Sequence, residues 1–334
     1  MGEVMKKSKN KEDKIIIIGD GAVGSTFAYT LLRENVSASI GIIDLNQKKV
    51  SADIEDLNHT LPFTKFCGKR VYIANYSDVR DADLVVITAN APQAKFGEDK
   101  DRLGLLQQNV WMMTSITTEI MVNGFAGVIL VVSNPVDALT QVVQRVSGLP
   151  TGQVIGTGTL LDTARLHELI ADKLNVNPND IKGFILGEHG NSGFINWSHL
   201  TIGSIPILTW LEKYSSLDSH HQLFEELADY VRKIGVDIFA DKGNTSYGIA
   251  SCLVMITEAI LSENNRILPI SAYLTGEYGV EGVYIGAPAI LNRQGISQII
   301  EIDLNDAELA AYQQSAETLK TNIVALEEKK LMPS

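Results

Sequence analysis

Apolar and polar positions alternate along this chain in two distinct rhythms. Residues 15–18 are an unbroken run of isoleucine, the pattern of a central parallel strand buried on both faces. A helical pattern follows at 22–32, then a short strand at 39–43 and a helix at 48–58. Strands at 70–73 and 84–88, a long helix at 105–122, a strand at 128–132 and a helix at 136–146 continue the series. Strands alternating with helices predict an α/β fold, a doubly wound parallel sheet with helices on both faces. Past residue 150 the rhythm changes. Helices near 159–174, 220–240, 245–263 and 306–328 are interspersed with strand-like stretches near 181–187, 268–275 and 283–287. That half is expected to pair antiparallel and to form a C-terminal α+β substrate domain. The expected division is a flexible tail over 1–14, a dinucleotide-binding domain over 15–155 and a catalytic domain over 156–334.

Composition narrows the picture. A chain of 334 residues suits two domains at roughly 150 residues each. With 45% hydrophobic and 20% charged residues it can bury a real core, which excludes disordered, collagen-like and disulfide-scaffold classes. The net charge of −12 repels phosphate backbones and acidic bilayers, so neither nucleic acid nor a membrane is expected as a partner. Cys67 and Cys252 stand far apart, without CxxC or metal-ligand spacing. They read as reduced thiols, and no metal is expected. The first 14 residues lack the apolar stretch of a signal peptide. Met1-Gly2 opens like a myristoylation signal, but Lys6 stands where Ser or Thr is required. A cytoplasmic location is expected.

The first candidate chemistry is GDGAVG at 19–24, a GxGxxG placed between the first strand and the first helix. Gly19 allows the tight turn, Gly21 lets the backbone approach a pyrophosphate, and Gly24 lets helix and strand pack closely. The helix N-terminus adds unpaired N–H groups and partial positive charge. Asp44 ends the second strand 25 residues after Gly19. A carboxylate there accepts hydrogen bonds from ribose hydroxyls and repels a 2′-phosphate, which predicts NAD over NADP. This is the signature of a Rossmann-type domain, although turn glycines followed by a strand-end Asp would read the same.

Dinucleotide binding does not define a reaction. Reducing a carbonyl by hydride transfer needs a proton donor and a grip on the substrate. His189 stands between glycines after a strand, and imidazole is the side chain that exchanges protons near neutral pH. Asp162 and Arg165, three apart on a helix, share a face. Asp162 can orient the imidazole, and Arg165 can clamp a carboxylate with two parallel hydrogen bonds. Asn134 ends a strand at the mouth of the sheet, where such folds bind ligands. Arg102 closes a polar stretch starting at Asn90 that reads as a mobile loop, and it can stabilise negative charge developing on a carbonyl oxygen. Taken singly, each has a plainer alternative: a structural histidine, an exposed ion pair, an Asn-Pro turn, a solvated loop charge.

Together, GDGAVG, SNPVD at 133–137, GTGTLLDTAR at 156–165, GEHGNS at 187–192 and KGNTSYG at 242–248 resemble the lactate/malate dehydrogenase family over nearly the whole chain after the tail. Within it they are most similar to the branch of L-lactate and L-2-hydroxyisocaproate dehydrogenases. The resemblance implies reversible hydride transfer between NADH and a small 2-oxo acid. It implies His189 as proton donor and acceptor, Asp162 as its partner, Arg165 as carboxylate clamp and Arg102 as the loop arginine that closes over the substrate. Gln93, Asn134 and Thr245 fall at substrate-side positions. Val23, Asp44, Asn90, Ala91, Ser115, Val132, Asn134 and Thr157 fall at cofactor-side ones. A cis Asn134–Pro135 bond and a homotetramer or dimer are further implications of the likeness.

Several positions depart from the family's commonest patterns. Gln93 stands where a malate-type enzyme presents Arg, which speaks against oxaloacetate. Eight residues separate Gln93 from Arg102, more than is usual, and Asn191 replaces the commoner Asp. The longer loop closes over a roomier pocket, and Asn191 with the GTGTLLDTAR wording is similar to hydroxyisocaproate dehydrogenase; together they point to a pocket that takes branched 2-oxo acids beside pyruvate. His167 and Lys182 occupy positions where fructose 1,6-bisphosphate-activated relatives carry Arg and His, so weak or absent activation is expected.

Overall fold

The computed structural model describes residues 12–36, 38–65, 70–91, 102–215, 220–262 and 264–329, the side chains of 102–105 excepted. Gln93 and Cys67 lie outside the described residues, as does the rest of the stretch 92–101. The first half comprises β1 (Asp13–Ile18), α1 (Ala22–Arg33), β2 (Ala38–Ile43), α2 (Gln47–His59), β3 (Val71–Ile73), β4 (Leu84–Ile87), α3 (Arg102–Val122), β5 (Val128–Val131), α4 (Val136–Ser147) and β6 (Val154–Gly156). The six strands are parallel, in the order β3-β2-β1-β4-β5-β6. This is the Rossmann arrangement, reversing direction between β1 and β4.

The isoleucine run of β1 shows why the strand is apolar throughout. Ile15 and Ile17 face one core, with Phe27, Leu31, Ile54 and the later Leu253 and Ile256. Ile16 and Ile18 face the other, with Val110, Met113, Leu139 and Val142. All four isoleucines are buried, since helices cover both faces. In α1 the buried residues Gly24, Phe27, Ala28, Leu31 and Leu32 recur at helical spacing and aim one stripe at the sheet.

The second half comprises α5 (Leu160–Leu174), β7 (Ile181–Lys182), β8 (Ile185–Leu186), β9 (Phe194–Ile195), β10 (Thr201–Ile202), β11 (Ile205–Pro206), α6 (Ile207–Tyr214), α7 (His220–Lys242), α8 (Tyr247–Leu261), β12 (Arg266–Thr275), β13 (Glu281–Asn292), β14 (Gly295–Ile299) and α9 (Asp306–Glu328). Strands β12 to β14 pair antiparallel and join the edge of β6, making one sheet of nine strands.

Three findings depart from the sequence reading. First, β1 begins at Asp13, inside the expected tail; Asp13 pairs with Arg293 and Lys14 with Asp81. Second, the stretch 181–187 is two strands in different sheets. Gly183 at φ +129° breaks it, a conformation side chains resist. Third, β6, α6 and β14 are elements that periodicity did not reveal, because strands of three and five residues and a helix of eight carry too little pattern. Among the described residues no helix is long and apolar enough to cross a membrane.

Candidate active site

His189 follows β8, and four elements hold the backbone that leads to it. From α5, the Thr159 hydroxyl donates to the Ile185 carbonyl at 2.6 Å and the Thr163 hydroxyl accepts the Ile185 N–H at 3.0 Å. From β13, Gly286 exchanges two backbone hydrogen bonds with Gly187. From α9, the Ser315 hydroxyl accepts the Glu188 N–H at 2.8 Å. From α4, the Asp137 carboxylate accepts the His189 N–H at 2.9 Å.

Asp162 and Arg165, on the first two turns of α5, meet that histidine. The His189 Nδ1 lies 2.6 Å from Asp162 Oδ2, and Arg165 Nη1 donates to Asp162 Oδ1 at 3.0 Å. One carboxylate therefore binds an imidazole on one oxygen and a guanidinium on the other. Asp162 is buried, so the pair is no solvated surface bridge. Burial alone would push its carboxyl up, but the charges of His189 and Arg165 outweigh this and hold it below the ordinary range. The Asp162 charge acts in the opposite sense on His189, raising the imidazole to about 9 against the cost of burial. The His189 side chain keeps 25% of its surface open, and among the described residues its Nε2 has no hydrogen-bond partner. Arg165 is half-buried beside α7, where Gly235 leaves room; a methyl there would lie 3.3 Å from the guanidinium.

The turn between β1 and α1 is tied down without using the N–H groups of the first turn of α1. Gly19 N–H donates to the Ile43 carbonyl at 2.8 Å, and Asp20 N–H to Asp44 Oδ2 at 2.7 Å. The Thr88 hydroxyl donates to the Gly19 carbonyl at 2.8 Å. Gly21 stands at the head of α1 with no side-chain cap, and a Cβ added there would meet only open space. A Cβ on Gly24 would lie 1.9 Å from the Gly19 carbonyl oxygen, so only glycine lets this helix start so close to β1. The uncapped N–H groups of the first turn, the open space before Gly21 and the half-buried Asp44 at the end of β2 together fit a dinucleotide pyrophosphate and ribose.

Comparison with known proteins agrees with this geometry. Residues 13–156 match the model of the lactate/malate dehydrogenase NAD binding domain, and residues 159–330 match that of the lactate/malate dehydrogenase alpha/beta C-terminal domain. The chain belongs to the lactate/malate dehydrogenase family. L-lactate dehydrogenase 1 of Listeria monocytogenes is 46% identical over 307 residues, 92% of this chain and 95% of that protein. L-lactate dehydrogenase of Lacticaseibacillus casei is 44% identical over 309 residues, 92% of each. Among solved structures, the ligand-bound minor L-lactate dehydrogenase of Enterococcus mundtii superposes with a TM-score of 0.89 at 37% identity, covering 94% of this chain and 98% of that one. This family member is an NAD-dependent oxidoreductase of 2-hydroxy acids.

Five of the remaining expected site residues lie at the ends of β4, β5 and β6. Ala91 is buried and Asn90 exposed beyond β4; Val132 is half-buried and Asn134 exposed beyond β5; Thr157 is buried just after β6. The Asn134–Pro135 bond is cis. Val23 is half-buried in the first turn of α1, Ser115 lies exposed on α3, and Thr245 is half-buried in the segment entering α8. Arg102 is the first residue of α3.

Sequence reasoning missed several supports. Asn109, buried on α3, accepts the Ala91 N–H and donates to the Asn134 carbonyl, both at 3.0 Å, joining the loops after β4 and β5. Lys49 on α2 donates to the Asp20 carbonyl at 2.5 Å and to its carboxylate at 3.0 Å. Burial pushes that carboxyl up to about 6, against the pull of Lys49. Asp137 was visible only as the last letter of SNPVD. No sequence spacing links these residues to their partners.

Proposed function

We propose that this enzyme reduces pyruvate to L-lactate with NADH, reversibly. The observation that carries the reading is one carboxylate, Asp162, gripping His189 on one oxygen and Arg165 on the other. On this reading a proton carrier stands beside a carboxylate clamp. The relatives named L-lactate dehydrogenase support the same reading.

When bound, the nicotinamide supplies a hydride to the substrate carbon and takes it back in reverse. The chain's own part follows from its geometry. Gly21, Gly24 and the first turn of α1 receive the pyrophosphate, Asp44 the ribose, and Val23, Asn90, Ala91, Ser115, Val132 and Thr157 line that side. Arg165 pairs its guanidinium with the substrate carboxylate. Asn134, Thr245 and Gln93 face the rest of the substrate, and Arg102 polarises its carbonyl oxygen. His189 gives its Nε2 proton to that oxygen, while Asp162 keeps Nδ1 protonated and stabilises the cation beforehand. In lactate oxidation the same nitrogen takes the proton back.

A pocket open to branched 2-oxo acids is the second reading. It rests on the eight residues between Gln93 and Arg102 and on Asn191. Each extra buried methylene contributes about 0.8 kcal/mol. Gln93 argues against oxaloacetate. Lys182, exposed, donates to the Asn179 carbonyl; His167 is bonded to the Gly183 carbonyl, and burial holds its imidazole below the ordinary range. A neutral ring and a lone lysine attract a sugar bisphosphate weakly, so little activation by fructose 1,6-bisphosphate is expected. The same reading includes a cytoplasmic homotetramer, a dimer being the alternative. It also places the functional division between the cofactor and substrate domains at residue 156.

The test is NADH oxidation with pyruvate, 2-oxo-4-methylpentanoate and oxaloacetate. We expect turnover with pyruvate and little with oxaloacetate. A kcat/KM for the branched acid within about tenfold of that for pyruvate supports the open pocket, and a gap beyond about a hundredfold removes it. Absence of turnover with both monocarboxylates sinks the reading as a whole.

A further inference from the structure

The mechanism above has no use for Asp137, the carboxylate that reaches the histidine from behind. It lies on the first turn of α4 and is 2% exposed. Its Oδ2 accepts the backbone N–H of His189 at 2.9 Å, and its Oδ1 accepts the hydroxyl of Ser271, which is itself fully buried on β12. A carboxylate in the first turn of a helix usually turns back to its own helix's free N–H groups. This one is spent on two other elements instead.

Hydrogen bonding alone does not call for a charge here. An asparagine amide has the same shape; its oxygen can accept the His189 N–H and its nitrogen can donate to the Ser271 hydroxyl. Burying an ionised carboxylate with two donors is costlier than burying that amide. What the charge adds is an electrostatic effect, and the titratable group it most directly faces is His189. We infer that Asp137 is a second anionic positioning residue for His189, fixing the loop that carries the imidazole and stabilising its protonated form together with Asp162. The inference rests on the reading of His189 as the proton carrier.

The other charges around the pair are identified. Asp162 and Arg165 face the imidazole from α5, with opposite signs. Glu188 adjoins it on the same loop and lies within electrostatic reach of Asp137, as does Tyr312 on α9. Burial pushes the Asp137 carboxyl up to about 6, opposed by the Ser271 hydroxyl and the His189 N–H. Its charge is one of those that raise the imidazole.

The deciding measurement is the titration of the His189 ring by NMR in the ligand-free protein with isotopically labelled histidine, its signal assigned through His189→Asn. Asp137→Asn is expected to lower the ring's pKa by about half a unit to one unit, a three- to tenfold loss of proton affinity. The alkaline fall of kcat/KM for 2-oxo acid reduction should move to lower pH by the same amount. Ser271→Ala keeps the carboxylate but removes a donor that stabilises its anion, and should shift the ring in the same direction by less. If Asp137→Asn does not fold, Ser271→Ala carries the test. An unmoved ring titration in whichever variant folds overturns the inference, even if kcat falls equally at every pH, since that marks a structural tether. The titration needs no substrate. Failure of the pyruvate assay with a normal ring shift therefore rejects the proposed reaction and leaves the inference standing.

Discussion

On the proposed mechanism His189 holds a proton at neutral pH and yet releases it to a bound carbonyl. Its environment is weighted to the first demand: the Asp162 carboxylate raises it to about 9 from an ordinary 6.5. Reduction requires the protonated ring, so its kcat/KM should stay level through neutral pH and fall as pH rises through about 9. Oxidation of the hydroxy acid requires the neutral ring and should rise over the same interval. The same shift bears on folding. A group whose folded pKa lies above its unfolded value stabilises fully below the unfolded value, 6.5, and loses that contribution as pH rises through the folded one, about 9. The melting temperature of the ligand-free protein should therefore decline between these values more steeply than that of His189→Asn. Equal slopes would mean that the ring is not held charged by Asp162.

At the scale of elements, the turn from β1 into α1 shows how little space the proposed cofactor site leaves to choice. Gly24→Ala would drive a methyl to 1.9 Å from the Gly19 carbonyl oxygen, with the Thr88 hydroxyl at 2.9 Å. Neither neighbour is the far end of a flexible chain, so the turn or the helix must move. We expect a loss of about 1–3 kcal/mol in stability from overpacking. NADH binding should weaken by about tenfold or more, since displacing the turn misaims the N–H groups. Calorimetric titration with NADH checks this, and unchanged affinity would show that the glycine serves only folding. This element was legible beforehand: GDGAVG sits between an apolar run and a helical stripe, and each glycine has a local steric reason. The strand-like stretch at 181–187 was not, because Gly183 divides it and only its partners tell which half joins which sheet.

At the scale of the molecule, the histidine is placed by a contact between distant segments. Gly187 and Gly286 form an isolated antiparallel bridge, and a Cβ on Gly286 would lie 2.5 Å from the Gly187 carbonyl oxygen. Gly286→Ala should push the segment bearing His189 off α5 and α9 while leaving the β1–α1 turn untouched. We expect kcat to drop by about a hundredfold, the order of loss that a shift of about 1 Å brings. NADH affinity should be preserved. Stopped-flow turnover with a parallel binding titration separates the two, and a fall in both would place the damage in global folding.

The amino-acid order alone determined what depends on neighbours along the chain. That covers the apolar run of β1, the glycine turn, the i,i+3 placement of Asp162 and Arg165, and an ionisable ring between glycines. Short-range sterics and periodicity suffice for those, and the family likeness joined them into one expected site. Only the tertiary structure decided that β12 to β14 extend the parallel sheet instead of standing apart. It alone revealed that Asn109 links two loops and that Asp137 and Ser271, 134 residues apart, meet behind the histidine. Such contacts form between segments whose separation carries no periodic signal. They exist because burying a polar group requires a partner, wherever in the chain that partner lies.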